Sequence, residues 1–136
     1  MAYHSRDFHA RTGAALDRAD RGRMSYHAGL AAEACVADAY TARGHRLIAE
    51  RWRGRRGEID LVFADGDAVI LVEVKKSRDF DTALSHVTPA QVARLYATAE
   101  EFVGTMPQGN LTDIRLDVAL VDARGEISIL ENAFAA

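Results

Sequence analysis

"GEIDLVFADGDAVILVEVKKS", residues 57–77, consists of two runs of strand-forming residues joined at an Asp-Gly pair. Asp-Gly between apolar alternations is a strong hairpin signal. Inside those runs stand Asp60, Glu73 and Lys75. Charged groups in a sheet are costly unless they are paired, solvated or bound to metal.

Side chains alternate across a strand. Val69, Leu71, Glu73 and Lys75 therefore share one face of the second strand, and Ile70, Val72 and Val74 the other. On the first strand Ile59, Leu61 and Phe63 lie opposite to Asp60 and Val62. A one-residue slip would turn one apolar set outward, which fixes the parity of the connection. A two-residue loop, Asp65-Gly66, pairs Asp60 with Leu71, and a four-residue loop pairs Asp60 with Glu73. In both cases Asp60, Glu73 and Lys75 emerge near one another on one face. Glu58 is expected to face away from Asp60, with a structural or solvent-facing part.

Two converging carboxylates repel unless a cation or a proton intervenes. Oxygen ligands suit Mg²⁺ or Mn²⁺, and magnesium takes one or two carboxylates while keeping waters, which leaves room for a phosphate. A lysine on the same face can hold that phosphate or the attacking water, the requirements of metal-assisted phosphodiester hydrolysis. Spacing alone also fits a solvated strand face with a Glu73–Lys75 ion pair.

Outward from the hairpin, "SYHAGLAAEACVADAYTARGH" reads as a helix over 26–43, with Ser25 as cap and Gly44 as stop. "HRLIAERWR" reads as a first strand. "TPAQVARLYATAEEFVG" is a second helix: Thr88 is a natural N-cap, Pro89 fits the first helical position and Gln91 completes a capping box. "DIRLDVALVD" alternates as a strand, and "EISILE" is a short last one. The expected order is helix, three strands, helix, two strands.

The 136 residues suffice for one domain. Residues 1–25, with five arginines and three aspartates, read as a polar extension, loose or weakly helical, before a single domain over 26–136. The single cysteine excludes an intrachain disulfide, and the five histidines make no zinc pattern with it. Without a membrane-length apolar stretch or a signal-peptide pattern, a soluble cytoplasmic protein that does not engage membrane is expected. The net charge of −3 argues against non-specific coating of nucleic acid. Residues 43–56, however, hold six arginines against one acid, and a local cationic patch binds phosphate on an acidic protein. Arg51, Arg53, Arg55 and Arg56 are the candidates for backbone contacts, since arginine suits phosphate by charge and fork geometry. Trp52 among them is assigned to the core, with stacking on an unpaired base as the alternative.

An Asp on one strand followed by Glu-x-Lys at the end of the next, flanked by helices, resembles the PD-(D/E)xK nuclease superfamily. More closely, "GLAAEACVADAYTARGHRLI", "WRGRRGEIDLVFADGDAVILVEVKKS", "TPAQVARL" and "RLDVALV" resemble the YraN family of small bacterial proteins. The resemblance implies an α/β, restriction-endonuclease-like core in αβββαβ order, with a mixed sheet flanked by helices and a short extra C-terminal strand. It also implies kinship with Holliday-junction resolvases. Carried over, Asp60 and Glu73 become metal ligands for Mg²⁺ or Mn²⁺, Lys75 the residue directing water or phosphate, and Glu33 the fourth acidic member. Leu30, Glu33, Ala37 and Tyr40 recur at helical spacing, which lets Glu33 point inward; a helix-dipole role is the alternative. Asp117 matches a family position and is read as structural. Where relatives carry lysine and arginine after "TP", this chain has "AQVA", leaving Arg94 as the basic contact from that helix.

The expected function is a Mg²⁺-dependent endonuclease acting on branched or structured DNA; the alternative is a non-catalytic nucleic-acid-binding or adaptor module that keeps the fold. Symmetric cleavage of a four-way junction requires two active sites, hence a homodimer.

Overall fold

A computed structural model describes the backbone of residues 18–134 and the side chains of residues 27–134. Its elements run α1 (Arg18–Ala42), β1 (Arg46–Arg53), β2 (Glu58–Asp65), β3 (Ala68–Lys76), α2 (Phe80–Ser85), α3 (Pro89–Val103), a 3₁₀ turn (Gly109–Leu111), β4 (Ile114–Val121) and β5 (Ile127–Leu130). The chain divides into two units, Met1–Leu30 and Ala31–Ala136, and the sheet lies in the second. Helix α1 covers Arg18–Ala42 of the described residues, so Ser25 sits inside it and is not its cap. The rest of the expected extension, residues 1–17, lies outside the described residues.

The five strands form one sheet in the order β1-β2-β3-β4-β5. β3 pairs β4 in parallel and every other neighbouring pair is antiparallel. A parallel pair needs a long crossover, and α2 and α3 supply it. β3 is the central strand. Its Val69, Ile70, Leu71 and Val72 are all buried, as expected of a strand covered on both faces.

One face packs on α1: Val36 and Tyr40 meet Leu61, Phe63, Ile70, Val72, Ala119 and Val121. Tyr40 stacks on Phe63 with ring centroids 4.6 Å apart. The other face packs on the crossover helices. Ala99, Phe102 and Val103 of α3 meet Val62, Val69, Leu71 and Leu116, and Ala83 of α2 meets Val118 and Leu120. Trp52 joins this core, edge-on to Phe102 at 5.3 Å.

The hairpin register pairs Ala64 with Val69 and Asp65 with Ala68. The turn is therefore the two residues Gly66-Asp67, one place later than Asp65-Gly66. Gly66 takes φ +62° at the first turn position, where glycine carries no steric penalty. This register belongs to the alternative that sets Asp60 across from Glu73. Thr88 and Gln91 form the expected capping box on α3. Helix α2 is an addition to the expected order; Asp79 starts it by accepting the Thr82 N–H at 2.8 Å. Among the described residues no helix is long and apolar enough to cross a membrane. The architecture is α/β: a mixed five-stranded open sheet with helices on both faces, the form of a restriction-endonuclease-like core.

Candidate functional site

The β2–β3 ladder is regular as far as Leu61 opposite Val72. Beyond it β3 continues beside β4 as far as Lys76, while β2 parts from it. In that fork the Val74 N–H has no β2 carbonyl to meet. Asp60 takes its place, accepting the Val74 N–H on Oδ2 at 2.8 Å. The same shift in partner brings the Asp60 carboxyl within hydrogen-bond reach of Glu73. Burial above all, then the negative charge of Glu73, pushes the Asp60 carboxyl up to about 7; the Val74 N–H opposes this and is outweighed. Such a pair favours a shared proton or a cation.

Lys75 lies two residues further along the same face. Its Nζ is 3.1 Å from Glu73 Oε2, and both side chains are largely shielded, at 20% and 14% exposure. The four groups singled out by the sequence thus fall into a joined trio of Asp60, Glu73 and Lys75, with Glu33 beside it. Glu33 comes from α1 and accepts a hydrogen bond from Arg51 Nε at 3.0 Å. Its carboxyl is raised above the usual value by burial; the charges of Asp60 and Glu58 add to this, and Arg51 opposes it. Glu33 is therefore within electrostatic range of Asp60 but is engaged by an arginine. Arg51 holds its place through an unusual backbone, φ +48°, rare for a residue with a side chain.

The expected common face of Ile59, Leu61 and Phe63 does not hold: Ile59 packs with Ala99 and Phe102 of α3, whereas Leu61 and Phe63 pack with Val36 and Tyr40 of α1. Glu58, read as structural or solvent-facing, is nonetheless within electrostatic range of the site. Its charge acts on both Asp60 and Glu33. With Glu73 it lines a cavity of about 130 Å³ completed by Gly57, Gln91, Arg94, Leu95 and Thr98. Arg53 Nη2 reaches the Glu58 carboxylate at 3.3 Å.

The basic residues divide in the same way. Arg94 lines the Glu73 cavity. Arg55 and Arg56 line a separate groove of about 290 Å³ with Ala97, Glu100 and Glu101. Their backbone N–H groups donate to the Glu101 carboxylate at 3.0–3.3 Å. Sequence reasoning does not single out Glu101, because its partners are main-chain groups 45 and 46 residues away.

Among the described residues, no three His, Cys, Asp or Glu side chains are gathered so as to hold a metal ion. The side chains that could hold one are Asp60 and Glu73, two hard-oxygen ligands of the number magnesium takes when it retains waters.

Residues 32–121 match the uncharacterised protein family UPF0102. A UPF0102 protein of Roseobacter denitrificans is 55% identical over 116 residues, 85% of this chain and 90% of the relative. One from Ruegeria pomeroyi is 51% identical, over 85% of this chain and 94% of the relative. One from Cereibacter sphaeroides is 50% identical, over 85% and 98%. The matched span runs from one residue before Glu33 to the last residue of β4, so it contains the whole site just described. The chain belongs to the UPF0102 family, the YraN family of its sequence resemblance.

Proposed function

We propose that this protein is a Mg²⁺- or Mn²⁺-dependent endonuclease that hydrolyses phosphodiesters of branched or structured DNA. The observation that carries the reading is the Asp60–Glu73 pair: two carboxyl groups set against each other in the fork between β2 and β3, with Lys75 against one of them. A carboxyl such as Asp60, which burial and the charge of Glu73 drive toward protonation, gains most from a divalent cation. A bound cation would stabilise negative charge on the phosphate.

Asp60 and Glu73 would hold the ion, with Asp60 kept in place by the Val74 N–H. Lys75, released from Glu73, would donate to the attacking water or to a phosphate oxygen. Glu33, released from Arg51, would orient water on the helix side. Arg51 and Arg94 stand on two sides of the pair, and Arg53, Arg55 and Arg56 lie along the turn between β1 and β2. These arginines would meet the phosphates flanking the cleaved one, with nucleic acid as the partner. The preference for branched DNA rests on the resemblance to junction resolvases, and paired cuts in a junction would require a homodimer.

The second reading, a nucleic-acid-binding or adaptor module without catalysis, is favoured by one observation. Glu73 and Glu33 are each already paired with a cation of the protein itself, Lys75 and Arg51. Linear, flap and four-way-junction DNA incubated with Mg²⁺ or Mn²⁺ separates the two. The nuclease reading requires metal-dependent cleavage by the wild type that is lost in Asp60→Asn. Binding without cleavage, identical in both proteins, selects the adaptor.

A further inference from the structure

One stripe of α3 carries Arg94, Thr98 and Glu101, spaced by four and three residues as one helix face requires. The turn between β1 and β2 lies along this stripe. Gly54 N–H donates to the Gly57 carbonyl at 2.9 Å, closing the turn. At its near end a Cβ on Gly57 would lie 3.0 Å from Thr98 Oγ1. At its far end a Cβ on Gly54 would lie 2.6 Å from Glu101 Oε1 and 2.9 Å from the Trp52 ring. Between the two glycines, the Arg55 N–H donates to both carboxylate oxygens of Glu101, at 3.0 and 3.1 Å, and the Arg56 N–H to one at 3.3 Å. Glycine at both ends lets the main chain approach the helix closely, and the carboxylate satisfies two N–H groups that have no ladder partner. Trp52 on Phe102 anchors the same turn from the core side.

We propose that Glu101 is a positioning residue for the nucleic acid. It fixes the turn that carries Arg55 and Arg56, just after Arg53 at the end of β1, so that these arginines meet phosphates without first having to be ordered. The proposal rests on the nucleic-acid reading above and adds to it a residue that carries the wrong charge for a phosphate contact. That charge makes the inference sharp. If Glu101 acted only through its field, removing it would tighten binding to a polyanion. If it positions the turn, removing its acceptor oxygens weakens binding, because the ordering of the turn is then charged to association.

The test measures binding to four-way-junction DNA over a range of salt for wild type, Glu101→Ala, Glu101→Gln and Gly54→Ala, with amide hydrogen exchange at Arg55 and Arg56 in the free proteins. Glu101→Gln keeps an acceptor oxygen and sheds the charge, so it binds at least as tightly as wild type. Glu101→Ala binds about five-fold more weakly, with the salt slope retained because every arginine is still present. Its Arg55 and Arg56 amides exchange faster. Gly54→Ala, whose new methyl displaces the carboxylate from the other side, behaves as Glu101→Ala. Tighter binding by Glu101→Ala, or unaltered exchange, overturns the positioning role while leaving the nucleic-acid reading in place. Absence of DNA binding by the wild type removes that reading and the proposal together, whatever the exchange rates.

Discussion

At the scale of single residues, the site is a set of charges whose balance depends on pH. The Asp60 carboxyl stands at about 7 against an ordinary value of 3.8. A group whose folded value is raised contributes stability that is fully present below the unfolded value and is lost as pH rises through the folded one. Metal-free protein should therefore lose stability between about pH 4 and pH 7, by on the order of 4 kcal/mol at most. Thermal melts across that range in chelator check this. Asp60→Asn should flatten the loss and melt higher than wild type near pH 8, and a steeper loss in the variant would contradict the account. Lys75→Ala should leave metal binding intact and lose most turnover, because the lysine acts on water and phosphate rather than on the ion; single-turnover cleavage with Mn²⁺ measures this. Asp60, Glu73 and Lys75 are legible in the sequence because a period of two and a short hairpin turn bring them together, although both faces of β3 prove to be core. The Arg51–Glu33 pair is not legible: it depends on where α1 meets an irregular strand, and neither residue's spacing encodes that.

At the scale of elements, the buried Asp117 of β4 ties α1 and the turn after β5 to the sheet. It accepts the Tyr40 hydroxyl of α1 at 2.6 Å, two hydrogen bonds from Arg115 of β4 at 3.0 and 2.9 Å, and the Asn132 N–H at 2.9 Å. This gives the structural part expected of Asp117 a concrete form. Asp117→Ala should cost about 3 kcal/mol, since it leaves a buried hydroxyl and a shielded guanidinium without their acceptor; Tyr40→Phe should cost about 1 kcal/mol. Urea denaturation measures both, and equal costs would argue against the carboxylate as the hub. The capping box of α3 and the alternation of β4 are legible because each is written within a few consecutive residues. Helix α2 escapes a sequence reading because six residues carry no detectable period. The hairpin turn shifts by one place because Asp-Gly marks a turn without saying which of its residues the strands will claim.

At the scale of the whole molecule, a chain with a net charge of −3 sets Arg94 beside Glu73 and Arg51 on Glu33, and holds Arg55 and Arg56 in a separate groove. Phosphate contacts set affinity and register without reading sequence. Replacing Arg53 and Arg55 by alanine should weaken binding to all DNA sequences alike and make the salt slope shallower by about one for each phosphate no longer neutralised; an unchanged slope would return these arginines to the solvated surface. The order of strands and helices follows from sequence because each element carries its own periodicity. The fork that makes the site does not, because it arises where a central strand keeps one neighbour and parts from the other. The nuclease reading depends on that fork holding a divalent cation between Asp60 and Glu73. Calorimetric titration of the chelator-treated protein with Mn²⁺ at pH 7, repeated in buffers of different ionisation enthalpy, tests this most directly. The account predicts one site in wild type, with release of the proton held by the pair, retention of the site in Lys75→Ala, and its loss in Asp60→Asn and Glu73→Gln. Wild type that binds no Mn²⁺, or Asp60→Asn that binds it equally well, would contradict it.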